Sequence, residues 1–351
     1  MSKTNFLQPT LLASAFALAL VGCTSTTPTS TNETVVTHKL APLTTVSPVL
    51  AKMVNAQGAG WDVHPKNAEE WTAFVLSSVP SSEQFAQEMI DRYQLTLSEE
   101  VIAGVQCFRI TPPNQTEDKK DKLLVFFHGG GYVLNPGKAG LTEALQLAGI
   151  GGYTIIGIDY RMAPQYPFPA AIDDGFAVYK ELVKTVPAAK IGVFGTSTGG
   201  AMSLVLPLQC QDNGVPLPGA VMAGTPWSDI DKVGDTYFSN EGDDNVLVSY
   251  DGWLGEATKV YANGHDLKDP YISPVYGDYS NFPPLLLVSG TRDLFLSNTV
   301  RVQEKMLKAE RPVELIVYEG ISHAQYYFNP DAPETKQHFI NVNNFFERYL
   351  K

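Results

Sequence analysis

The segment Gly195-Thr196-Ser197-Thr198-Gly199-Gly200 sets a hydroxyl nucleophile among small residues. In a G-x-S-x-G pattern the glycines let a strand and a helix cross closely, leaving the serine hydroxyl exposed on a sharp turn. The apolar run "IGVFG" at 191–195 precedes it and the helix-like run "AMSLVLPLQ" follows. A serine attacks a carbonyl only when a base takes its proton, and the base needs a third group to hold its tautomer. Asp293 follows the strand-like run "PLLLVSG", and His323 follows "VELIVYEG". The chemistry this spacing predicts is acyl transfer, with Ser197 as nucleophile, His323 as base and Asp293 as triad acid.

The other histidines fit the base less well. His38 lies near the amino terminus, His64 precedes a proline ahead of the main sheet and His128 opens a glycine loop. His265 sits in an insertion and His338 within the final helix pattern. Asp293 also stands where a helix amino terminus would favour an acid. It is the only acidic residue between Val288 and Val300, so no second carboxylate competes for the role.

Attack on a carbonyl creates an oxyanion that donors must already face. The stretch "LLVFFHGGGYVL" at 123–134 ends an apolar strand in His128-Gly129-Gly130-Gly131. Consecutive glycines let backbone N–H groups lie side by side without intruding side chains. The N–H groups of Gly129 and Gly130, with that of Thr198 after the nucleophile, are the expected oxyanion hole. A phosphate-cradling loop would need a G-x-x-x-x-G-K-[ST] or G-x-G-x-x-G spacing, and the loop has neither.

These residues need a frame that brings strand ends together. Strand-like runs lie at 123–128, 154–160, 191–195, 220–224, 284–290 and 313–320, with helix-like runs such as "LTEALQLAG", "AAIDDGFAVYKELVK" and "TVRVQEKMLKAE" between them. This alternation predicts an α/β fold with a mostly parallel sheet covered by helices on both faces. Ligands bind such sheets beyond the carboxyl ends of the strands, where every candidate residue falls.

With "HGGGY", "DYRMAPQYPFPAAIDD" (159–174), "GTSTGG", "DPYISPVYGD" (269–278), "GTRD" and "GISHA", roughly residues 85–350 resemble the hormone-sensitive-lipase-like family of α/β-hydrolases. The resemblance implies an α/β-hydrolase fold with a helical cap, and carboxylester hydrolysis without a cofactor. It carries the nucleophile onto Ser197, the acid onto Asp293, the base onto His323 and the oxyanion donors onto Gly129, Gly130 and Thr198. Two positions depart from the family pattern. Thr198 replaces a common alanine and sets a branched side chain beside the nucleophile, where it bears on acyl-pocket size. Gln165 replaces the glutamate of the "YRLAPE" segment. Composition places the cap at about 48–95, including the helix-like run at 68–93, and at 227–266. The expected substrate is a small acyl ester of short to medium chain; lactones, thioesters and amides suit the same triad. A non-catalytic envelope binding protein has no need of it.

Residues 1–22 read as a signal peptide, with an apolar run from Leu11 to Val21 that is short for a membrane span. Leu20-Val21-Gly22-Cys23 looks like a bacterial lipobox, which implies cleavage before Cys23 and lipidation of its thiol. Membrane anchoring in the cell envelope follows, and Thr24, in place of an aspartate, favours the outer membrane. Residues 23–47, rich in Ser and Thr, read as a flexible tether, and residues 48–351 as the hydrolase domain. A net charge of −12 and mixed signs in the one dense lysine run, "EDKKDK", argue against nucleic acid as a partner. Cys107, in the strand-like run "VIAGVQCFRI", and Cys210, near a helix end, have neither CxxC spacing nor a histidine neighbour. Two buried inert thiols, with no metal site, are expected.

Overall fold

The computed structural model describes residues 43–113 and 115–351. The segment expected to be a signal peptide, Cys23 and the expected tether up to residue 42 lie outside these residues. The chain opens with α1 (Pro48–Val54), α2 (Ala68–Tyr93) and a hairpin of β1 (Thr96–Ile102) and β2 (Val105–Thr111). There follow β3 (Leu123–Phe127), α3 (Thr142–Gly151), β4 (Thr154–Ile158), α4 (Ala170–Leu182), β5 (Ile191–Thr196) and α5 (Thr198–Asn213). Then come β6 (Ala220–Gly224), α6 (Thr236–Ser239), α7 (Trp253–Ala262), β7 (Leu285–Gly290), α8 (Leu296–Lys308), β8 (Val313–Tyr318) and α9 (Pro333–Tyr349).

Among the described residues the strands form one eight-stranded sheet in the order β1-β2-β4-β3-β5-β6-β7-β8. Strands β3 to β8 run parallel; β2 is antiparallel to both β1 and β4. The middle strands are apolar except near their carboxyl ends because both faces are covered. Val125, Phe127, Val193, Val221 and Leu287 enter one core with α4, α5 and α8. Their alternates Leu124, Phe126, Phe194, Met222 and Leu286 enter another with α3 and α9. The period-two alternation therefore divides each strand between two cores. Cys107 and Cys210 are buried and unpaired, and burial pushes both thiols up to about 12.

All six strand-like runs form strands, and α2 covers 68–93 as its pattern predicts. Asn67 caps α2 by accepting the Glu70 N–H at 3.0 Å, while Glu70 accepts the Lys66 N–H at 2.7 Å. Two expectations need correction. The run "VIAGVQCFRI" is not one strand: Ala103 and Gly104, with φ of 52° and 84°, turn it into the β1–β2 hairpin. The last residues of the expected 23–47 tether also make fixed contacts. Leu43 packs against Gly320, and Ser47 caps α1 while its N–H and hydroxyl donate to Glu334 at 2.6 and 2.8 Å.

Register brings the strand ends to one level. Thr196 of β5 lies beside Gly224 of β6, which lies beside Val288 of β7. The residues that follow, Ser197, Thr225 and Ser289, stand along one rim with the loop after β8.

Candidate active site

Ser197 joins β5 to α5 with φ 63° and ψ −122°, a conformation that costs a non-glycine residue about 1–3 kcal/mol. Its backbone is held on three sides. The N–H donates to Gly224 O at 2.9 Å, and its carbonyl accepts from Trp227 N at 3.0 Å and Ala201 N at 3.0 Å. The flanking glycines serve the close crossing predicted for them. A Cβ on either Gly195 or Gly199 would fall on the carbonyl oxygen of Phe127, and the Ser197 side chain is left half-buried at the rim.

Asp293 and His323 meet next to it. His323 Nδ1 lies 3.1 Å from Asp293 Oδ1, and both side chains are buried. A carboxylate partner places the proton on Nδ1, so Nε2 is free to accept one. Asp293 Oδ2 accepts from Ser289 Oγ at 3.0 Å and from Thr225 Oγ1, while Oδ1 accepts the Phe295 N–H at 2.8 Å. Burial alone would raise the Asp293 carboxyl. The facing His323 and the hydrogen bonds from His323, Thr225 and the Phe295 N–H outweigh it, holding Asp293 below its ordinary value. Phe295 packs edge-on against the imidazole at 4.8 Å. Among the described residues no hydrogen bond joins Ser197 Oγ to His323; such bonds often tighten only with substrate bound.

The glycine loop lies against the serine. A Cβ on Gly129 would stand 2.8 Å from Thr196 O and 3.2 Å from Ser197 Cβ, so only glycine fits there. Gly130 and Gly131, at φ 126° and 64°, turn the loop over. Its carbonyls are tied back. Gly129 O accepts from His128 Nδ1 at 2.9 Å and Asn135 Nδ2 at 3.1 Å, and His128 O accepts from Tyr160 OH at 2.7 Å. Burial, only partly offset by the bond to Gly129, pushes the His128 imidazole down and keeps it neutral, stacked on Tyr160 at 4.2 Å. Among the described residues the N–H groups of Gly129, Gly130 and Thr198 donate to no protein acceptor. The Thr198 side chain is fully buried.

Three groups at the site escaped the sequence reading. Thr225 and Ser289 have a signal in retrospect, as hydroxyls at the carboxyl ends of β6 and β7. Asp244 has none, since it sits in an irregular part of the 227–266 insertion. Beneath the serine, Thr196 Oγ1 donates to Glu143 at 2.8 Å, and burial pushes that carboxyl up to about 8.

Known proteins resemble this chain in sequence and in fold. A solved esterase structure is 39% identical, with a TM-score of 0.87, covering 91% of this chain and 99% of its own. A hormone-sensitive lipase from a metagenome library is 26% identical with a TM-score of 0.68, covering 82% of this chain and 99% of that one. An acetyl-hydrolase of Streptomyces hygroscopicus is 27% identical over 217 residues, 62% of this chain and 72% of that protein. The profile of the alpha/beta hydrolase fold matches residues 124–327, more than half of the sequence, and the chain belongs to that family.

Proposed function

We propose that the chain hydrolyses carboxylic esters of short to medium acyl chain through Ser197, His323 and Asp293. The observation that carries this reading is the buried Asp293–His323 pair on the rim that holds a strained serine, with the Gly129, Gly130 and Thr198 N–H groups left without protein acceptors. Ser197 Oγ attacks the ester carbonyl as His323 Nε2 takes its proton, and Asp293 holds the imidazolium that forms. The oxyanion is met by the N–H groups of Gly129, Gly130 and Thr198. Collapse expels the alcohol with the proton from His323. Water then gives His323 a proton as its oxygen attacks the acyl-enzyme, releasing the carboxylic acid and restoring Ser197.

Segments of both expected cap regions meet over the loop. Phe74 of α2 and Trp253 of α7 lie 6.0 Å apart, and the Trp253 ring covers Gly131. A cavity of about 360 Å³ beside the loop is lined by Phe85, Phe126, Gly129, Asn135, Glu143 and Phe328 and includes neither Ser197 nor His323. The test is hydrolysis of p-nitrophenyl acetate, butyrate, octanoate and palmitate. We expect kcat/KM to peak at butyrate or octanoate and to fall at least tenfold for palmitate; a maximum at palmitate would contradict the chain-length assignment.

The proposal extends to the amino terminus, where lipidation of Cys23 would hold the enzyme at the outer membrane. Among the described residues no helix is long and apolar enough to cross a membrane. In a bacterial host, radiolabelled palmitate is expected to enter the wild-type chain and not Cys23→Ser. Equal labelling of the two would remove the anchor.

A further inference from the structure

A second buried carboxylate stands behind the base. Asp244, in the loop between α6 and α7, is fully buried. Its Oδ2 accepts the Leu294 N–H at 3.0 Å, one residue past Asp293, and both oxygens share the His323 N–H at 3.3 and 3.4 Å. Oδ1 also accepts the N–H groups of Val246 and Leu247 at 2.9 and 3.1 Å, which fixes the carboxylate within its own loop. The next residue continues the clasp. Asn245 N donates to Ser322 Oγ at 3.1 Å, and its side chain accepts from Gln325 at 2.7 Å and donates to Ala56 O at 2.7 Å.

We propose that Asp244 is a positioning residue for the base: its carboxylate ties the backbone of His323 to the backbone just past Asp293, fixing the imidazole against its acid. The argument rests on the esterase reading above. A loop carrying a base has no ladder of its own to hold it, and a displacement of about 1 Å at a reacting group can lower the rate 10²-fold. Asp244 supplies what the loop lacks, since its acceptors serve three segments at once. Asparagine cannot replace it, because the amide nitrogen would point a donor at one of these N–H groups.

The charged groups facing Asp244 are Asp293, from the loop after β7, and His323, from the loop after β8; Arg292, beside them, donates instead to Val54 O at 3.0 Å. Burial, and then the like charge of Asp293, push Asp244 up to about 6 against the pull of His323. Protonation of Asp244 below about pH 6 weakens the clasp. The acidic limb of the wild-type rate profile therefore lies at higher pH than it would without this carboxylate.

The experiment is the pH dependence of kcat and KM for p-nitrophenyl butyrate in the wild type and Asp244→Asn, with the unfolding midpoint of each. The expected result is a fall in kcat of about 10- to 100-fold, a KM within about threefold, and an acidic limb moved to lower pH. Three outcomes would overturn the proposal: wild-type rates, a lower kcat with an unmoved limb, or a variant that does not fold, which would make Asp244 a support of the fold alone. A wild-type protein without esterase activity would instead bring down the reading beneath it, and this proposal with it.

Discussion

Ser197→Ala is expected to lower kcat for p-nitrophenyl esters by about 10⁵- to 10⁶-fold while leaving the fold intact. The size follows from what remains. Without the hydroxyl no acyl-enzyme forms, and His323 and Asp293 have no proton to move in the first step. The oxyanion donors at Gly129, Gly130 and Thr198 stay in place, so a residual rate about 10³-fold above water is expected from carbonyl polarisation alone. Stability should hold or rise slightly. The backbone at 197 keeps its φ of 63°, its bonds to Gly224, Trp227 and Ala201 are main-chain bonds, and alanine presents the same Cβ to Gly129. Far-ultraviolet circular dichroism and the unfolding midpoint would check this beside the rates. A variant that kept a tenth of the activity would mean that water or another group attacks the ester.

Asp293→Asn has the second largest expected effect, a fall in kcat of about 10⁴-fold, or some 5 kcal/mol of barrier. The carboxylate accepts from His323 Nδ1, Thr225, Ser289 and the Phe295 N–H, and donates nothing. An amide must turn its nitrogen toward one side of that cluster. Turned toward His323, it donates to Nδ1 and moves the imidazole proton to Nε2, where it opposes the serine hydroxyl. Turned the other way, it faces the donors Thr225 and Ser289. The variant should also differ on acid titration. Burial raises Asp293, but His323 and its other donors hold the net value below ordinary carboxylates. Its contribution to stability is therefore complete above the ordinary carboxylate range and lost as pH falls through the lowered value. Below pH 5 the unfolding midpoint of Asp293→Asn is expected to depend less on pH than that of the wild type.

What could be read in advance was whatever obeys local rules. The apolar runs at 123–128, 191–195 and 284–290 are strands because they are buried on both faces, and the residues just past them occupy the rim because parallel strands end together. Ser197, Asp293 and His323 are legible for that reason. Thr225 and Ser289 were missed because a hydroxyl at a strand end is common, and only the bonds to Asp293 distinguish them. Asp244 is farther from reach. It lies 49 positions before Asp293 and 79 before His323 in a loop without periodicity, and tertiary packing alone joins them. Ala103-Gly104 was overlooked because alternation continues on both sides of the turn, so period two does not reveal a reversal of direction. The buried face of Thr198 likewise depends on the crossing of α5 over β3, which no local pattern encodes.

The central claim is that Ser197 is a nucleophile activated by His323. The most direct measurement is intact-protein and peptide mass spectrometry after reaction with diethyl p-nitrophenyl phosphate, which phosphorylates an activated serine. The account predicts one diethylphosphoryl group per chain, carried by the peptide that contains Ser197, and loss of that adduct in His323→Ala. No adduct in the wild type, an adduct on another residue, or equally fast labelling of the His323 variant would contradict it.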